Sequence, residues 1–109
     1  MRTLSFIVNG QIIEKDPNCD FSGLIPGTEG YLQAEFLFSP QWDGCTKVAA
    51  FWSIMGHEYP PKKLDNGKTC LIPAEALQKK TFGIQIIGKK QDFRLTTNKL
   101  FITQKGDAE

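Results

Sequence analysis

The chain has 109 residues, 40% of them apolar and 23% charged, and a formal net charge of +1. That length holds one domain with one modest core, and that balance excludes wholesale disorder. The near-neutral charge excludes an electrostatic footprint for nucleic acid, and no apolar stretch approaches the roughly 20 residues that span a bilayer.

The opening residues, MRTLSFIVNGQIIE, carry one arginine and a short apolar run, without the longer apolar region and cleavage site of a signal peptide. Synthesis in a cytosol is the expectation. Residues 3 to 8 alternate, with Leu4, Phe6 and Val8 on one face and Thr3 and Ser5 on the other, which predicts a strand. Asn9-Gly10 is a strong hairpin signal, and residues 11 to 14 read as the returning strand. Residues 16 to 30 hold Pro17, Gly23, Pro26, Gly27 and Gly30, and predict a long loop. Loops of this length are usually functional or mobile.

Residues 31 to 39 give the clearest strand, with Leu32, Ala34, Phe36 and Phe38 on one face and Tyr31, Gln33, Glu35 and Ser39 on the other. Period two with one wet face predicts an antiparallel sheet. Residues 46 to 54 form the next strand. It is apolar on both faces, with Val48, Ala50, Trp52 and Ile54 opposite Ala49 and Phe51, so it should be central or covered. Trp52 is expected in the core. Asp43-Gly44 supplies turn chemistry between these two strands.

Residues 57 to 64 read as an edge strand because Pro60-Pro61 cannot donate to a ladder. Asp65-Asn66-Gly67-Lys68 is a second turn, followed by a short strand over 69–72. Pro73 opens one helical turn over 73–77. Residues 81 to 88 form a strand with Phe82, Ile84 and Ile86 on one face, and residues 88 to 91 turn into another at 92–96. The last strand runs over 99–104, and the tail over 106–109 should fray. The sum is about eight short strands at spacings of about 8 to 12 residues with almost no helix, which predicts an all-β, antiparallel β-sandwich or small barrel in one domain over 1–109.

Signals for chemistry are thin. The phosphate-loop, dinucleotide, zinc-protease and nucleophile-elbow motifs are missing from the sequence, and the carboxylates are scattered mostly in turns. Cys19, Cys45 and Cys70 lie far apart and His57 is the single histidine, which predicts free thiols, no zinc site and no cofactor. The paired lysines at 62–63, 79–80 and 89–90 read as solvated turn residues. The expectation is a protein that is not an enzyme.

Trp42, between Pro40 and Asp43-Gly44, has two readings. As a stacking platform it would join Tyr31, His57 and Tyr59 on a surface that takes a sugar or peptide. As a plug it would fold back over the end of the core and hydrogen-bond through its indole N–H. The plug is the preferred reading.

Four segments taken together, AEFLFSPQWDGCTKVAAFW, LDNGKTCLIPAEAL, FGIQIIG and RLTTNKLFI, resemble a module recurrent in phage and prophage genes of Gram-positive bacteria. The resemblance covers residues 31 to 103, and the first 30 residues do not match it. It implies a β-sandwich similar to domains of baseplate, tail-accessory and head-fibre proteins, with a structural or adhesive role and no catalytic residues. By that pattern Trp42, Asp43 and Gly44 form a structural corner and Pro73 starts the helical turn.

The leading expectation is therefore a non-enzymatic virion assembly protein. It would be made in the bacterial cytoplasm, become associated with the virion, and contact protein subunits, its own copies or others, with exposed strand edges as candidate interfaces. The alternatives are a module binding a host surface glycan and a small inhibitor binding a host protein. Tyr31, Trp42, Asp43, His57 and Tyr59 are the candidate contact residues. An enzyme would instead need His57 or Cys45 to meet a carboxylate in a concave site.

Overall fold

The computed structural model describes residues 1–105, so the tail over 106–109 lies outside the described residues. The described chain is mostly strand and forms two sheets. The first holds β1 (Arg2–Asn9), β2 (Ile12–Lys15), β3 (Leu32–Phe38) and β6 (Thr69–Leu71), in the order β2-β1-β3-β6. The second holds β4 (Thr46–Ser53), β5 (Glu58–Lys63), β7 (Thr81–Lys90), β8 (Phe93–Thr96) and β9 (Leu100–Thr103). Its order is β5-β4-β7-β8, and β9 pairs with β7 where β8 does not. A short helix, α1 (Ala74–Leu77), links β6 to β7.

Alternation in the sequence becomes alternation about the sheets. Leu4, Phe6 and Val8 of β1 and Leu32, Ala34 and Phe36 of β3 enter one core with Phe51, Phe82, Ile84, Ile86 and Ile102 of the second sheet. The rings of Phe6 and Phe36 stack at 5.4 Å.

The expectation of purely antiparallel pairing needs correction. β1 and β3 pair in parallel over seven residue pairs, from Arg2 with Leu32 to Val8 with Phe38. A parallel pair needs a crossover of about a dozen residues or more. Here β2 already makes the return along β1, and the Gly- and Pro-rich segment over 16–30 carries the chain from the end of β2 past β1 to the start of β3. It is pinned along its length. Arg2 Nη2 donates to the Asp20 and Ser22 carbonyls at 2.9 and 2.7 Å, and Gly27 N–H donates to the Leu77 carbonyl at 2.9 Å. Leu24 is buried, and Phe21 sets its ring edge against Phe6.

Three local readings also shift. The first hairpin loop is Gly10-Gln11, one residue beyond the Asn-Gly signal, because Asn9 already pairs with Ile12. Gly10 takes φ +59°, as the first position of a tight two-residue turn requires. β7 continues through Lys90 and turns at Gln91-Asp92, since Lys89 and Lys90 pair with Arg94 and Phe93. Trp52 lies on the face opposite Phe51 and is half-buried rather than in the core. A strand apolar on both faces gives no signal for which one turns inward.

Asn98 ties the two sheets along one side. Its N–H donates to the Gln11 carbonyl at 3.1 Å, and its Oδ1 accepts from Ile13 N–H at 2.9 Å. The residue at the kink between β8 and β9 thus completes the outer edge of β2.

Candidate functional site

The sequence-predicted contact residues separate into three places. Trp42 ends a 3-10 turn over Pro40–Trp42 and has 0% exposed surface. Its indole Nε1 donates to the Gly10 carbonyl at 2.9 Å. Ser39 supports the same junction, donating its N–H to the Val8 carbonyl and accepting Gly10 N–H at Oγ, each at 2.9 Å. The Trp42 ring packs on Phe38 at 5.3 Å and on the bare backbone of Gly88. A Cβ at Gly88 would sit 2.7 Å from Trp42 Cζ3, so a glycine is needed there. Trp42 is a plug with nothing left to offer a ligand, and Asp43 is the exposed rim of that corner. Tyr31, half-exposed, borders a separate small cleft beside Arg2 and Leu24.

His57 and Tyr59 come together at the far end of β4. There Ser53, Ile54, Met55 and Gly56 make a turn, with Gly56 N–H donating to the Ser53 carbonyl at 3.0 Å. Gly56 follows at φ +89°, and Ser53 N–H pairs with the His57 carbonyl at 2.7 Å, which closes a three-residue hairpin loop with a bulge. Ser53 Oγ accepts from Met55 N–H at 3.2 Å and from His57 N–H at 3.0 Å, fixing the tip. The turn backbone thereby satisfies itself and leaves Ile54 and Met55 as its central side chains. They are 68% and 89% exposed.

This tip overhangs an open groove of about 660 Å³. One wall is Ile54, Met55, His57 and Tyr59, with the His57 and Tyr59 rings edge-to-face at 5.3 Å. The other wall is Lys79, Lys80 and Thr81, where α1 passes into β7. The basic wall is held from behind. The buried Gln104 donates Nε2 to the Leu77 and Lys79 carbonyls at 3.0 and 2.7 Å, and its N–H donates to the Lys80 carbonyl at 2.6 Å. Among the described residues the lining is mostly apolar with two cations and no carboxylate, and its volume is that of a small binding site.

The outer face of the second sheet carries a different feature. Trp52, Gly83 and Phe101 are cross-strand neighbours, and a Cβ at Gly83 would fall 2.9 Å from the Phe101 ring. Trp52 Nε1 donates to Gln85 Oε1 at 3.2 Å, and Lys99 Nζ lies 3.5 Å from the centre of the Trp52 ring.

Sequence reasoning missed Ile54, Met55, Lys79 and Lys80. The available signal was Ser53-x-x-Gly56, a turn whose middle positions are apolar where turns are usually polar. Among the described residues, no group of three or more His, Cys, Asp or Glu side chains could hold a metal ion, and no helix is long and apolar enough to cross a membrane. Cys19, Cys45 and Cys70 are free thiols. Comparison of the chain with protein-family models, with curated proteins and with solved structures finds no match.

Proposed function

We propose that this chain is a non-enzymatic assembly protein of a phage or prophage particle, its two sheets packed as a β-sandwich, acting through protein–protein contacts in the virion. The observation that carries the contact role is the tip of the β4–β5 hairpin. Two large aliphatic side chains stand in water there, beside a groove lined by apolar and basic residues. Apolar surface left exposed next to a concavity marks an interaction site more often than chance exposure does. The resemblance of residues 31 to 103 to phage modules is what points to the particle. The test is mass spectrometry of gradient-purified particles from the phage or induced prophage that carries the gene. Finding the chain at a fixed copy number per particle supports the reading, and its absence from particles defeats it.

A second reading, recognition of a surface glycan, is favoured by Trp52 and Phe101 flanking Gly83 on an outer sheet face. Aromatic faces suit sugar rings, but the Lys99 ammonium occupies the Trp52 face and would have to leave. Titration with host cell-wall polysaccharide separates the readings, because sugar binding would quench Trp52 emission and contact at the hairpin tip would not.

A further inference from the structure

We propose that the groove under the β4–β5 tip takes an acidic protein segment, one apolar anchor flanked by Asp or Glu, rather than a neutral or basic segment or a second copy of this chain. The inference rests on the protein-contact reading and names the partner's chemistry. Its apolar half is set by Ile54 and Met55, which cover one side of the hollow, and by the His57–Tyr59 ring pair at its back. A leucine- or phenylalanine-sized side chain seated there would cover Met55, the most exposed large apolar residue described.

The charged half is set by the opposite wall. Lys79 and Lys80 are both exposed, and none of the described residues that line the groove carries a carboxylate. The nearest acidic residue along the hairpin, Glu58, pairs with Trp52 and so belongs to the other sheet face. An anionic segment therefore meets two cations, with no carboxylate lining the groove among the described residues. The same arrangement argues against self-association. A two-fold dimer packed tip to tip would bring like patches together and set lysines against lysines.

The docking mode is also restricted. β5 is the free edge beside the groove, but Pro60 and Pro61 lie within it and remove two backbone donors. A partner cannot extend the sheet along that edge, so it is held by side chains: an anchor in the hollow and acidic groups on the rim.

The experiment selects from an mRNA-displayed library of random 12-residue peptides against the intact chain. Binding of the enriched peptides is then measured by fluorescence anisotropy. Two variants read the two halves of the groove. Met55→Asp removes the apolar lip at an exposed position, and the double variant K79E/K80E inverts the basic wall. Lys89→Glu, on β7 away from the groove, is the control. The expected result is enrichment of peptides with Leu, Phe or Trp beside Asp or Glu. Binding should weaken about tenfold or more in each groove variant, stay unchanged in the control, and weaken in salt above about 0.3 M. Enrichment of neutral or basic peptides, binding indifferent to both groove variants, or no enrichment overturns the inference. So does a concentration-dependent dimer in light scattering that Met55→Asp dissolves, since the occupant would then be a second copy. Particle composition reads the assembly role separately. A chain present in particles whose groove selects no acidic peptide keeps its function and loses this partner, and the reverse outcome keeps the partner and loses the virion.

Discussion

β4 begins at the Trp42 corner and ends at the Ile54–Met55 tip, about 25 Å away at the usual rise per strand residue. Both ends are turns next to aromatic residues, and the two are finished in opposite ways. At the corner the chain folds Trp42 inward and gives its N–H to Gly10, and Gly88 is left bare to receive the ring. At the tip Ser53 satisfies the turn backbone by itself, and the apolar side chains are left in water. Large apolar area beside a turn thus stabilises the fold when the turn recruits a neighbouring strand. Where the turn closes on itself, the same kind of area becomes available to a partner.

Removing the plug should give the largest effect. Trp42→Ala opens a cavity against Phe38 and Gly88 and should cost about 3–5 kcal/mol, read from urea unfolding. Trp42→Phe should cost less, about 1–3 kcal/mol, chiefly by leaving the Gly10 carbonyl without its donor. No loss in Trp42→Phe would mean that the indole hydrogen bond contributes nothing. Gly88→Ala attacks the same contact from the other side. Its Cβ lands 2.7 Å from the ring, and overpacking of this kind costs about 1–3 kcal/mol. An unchanged melting temperature would show that the corner can relax, contrary to the tight seating described above.

Between these extremes lies a pH effect from the first sheet. Burial, reinforced by Asp65 and opposed by Lys62, pushes the Cys70 thiol up to about 12 from an ordinary 9.0. Above pH 9 the unfolded thiol gives up a proton that the native thiol keeps. The stabilisation is therefore whole below pH 9 and is lost as pH rises from 9 towards 12. Between pH 9 and 10.5 the wild-type chain should lose about 2 kcal/mol more than Cys70→Ala loses. Parallel losses in the two proteins would place the thiol in contact with water.

The smallest effect is expected at the tip. Met55→Asp should change stability by less than about 0.5 kcal/mol, because the side chain is 89% exposed and its turn is closed by Ser53. A loss above about 1.5 kcal/mol would make Met55 part of the core's support and erase the contrast with Trp42.

The strands were readable wherever one face was wet. Leu4-Phe6-Val8, Leu32-Ala34-Phe36 and Phe82-Ile84-Ile86 all turn inward as period two predicts. β4 shows the limit of that signal. Both its faces are apolar, so the orientation was decided by which one met the other sheet, and Trp52 came out on the far side. The parallel pairing of β1 with β3 was also hidden, since alternation says nothing about direction between strands 30 residues apart. The groove was half legible: His57 and Tyr59 are near neighbours on one hairpin. Lys79 and Lys80 arrive from the α1–β7 junction, and only the pairing of β4 with β7 brings them there. Tyr31 and Asp43 belong to other regions altogether.

Asn98 also sets an order in time. Its clasp on Ile13 joins residues 85 positions apart, and β9 covers one half of β7's edge only after residue 103 is made. The first hairpin can form as soon as it leaves the ribosome, but Ile13 N–H on its outer edge stays open until Asn98 has emerged. During synthesis that edge is a bare row of backbone donors and acceptors, including Ile13 N–H, while at least 85 further residues are added. That stretch of edge is covered only once Asn98 is in place, so the risk of mispairing at Ile13 is greatest in the nascent chain.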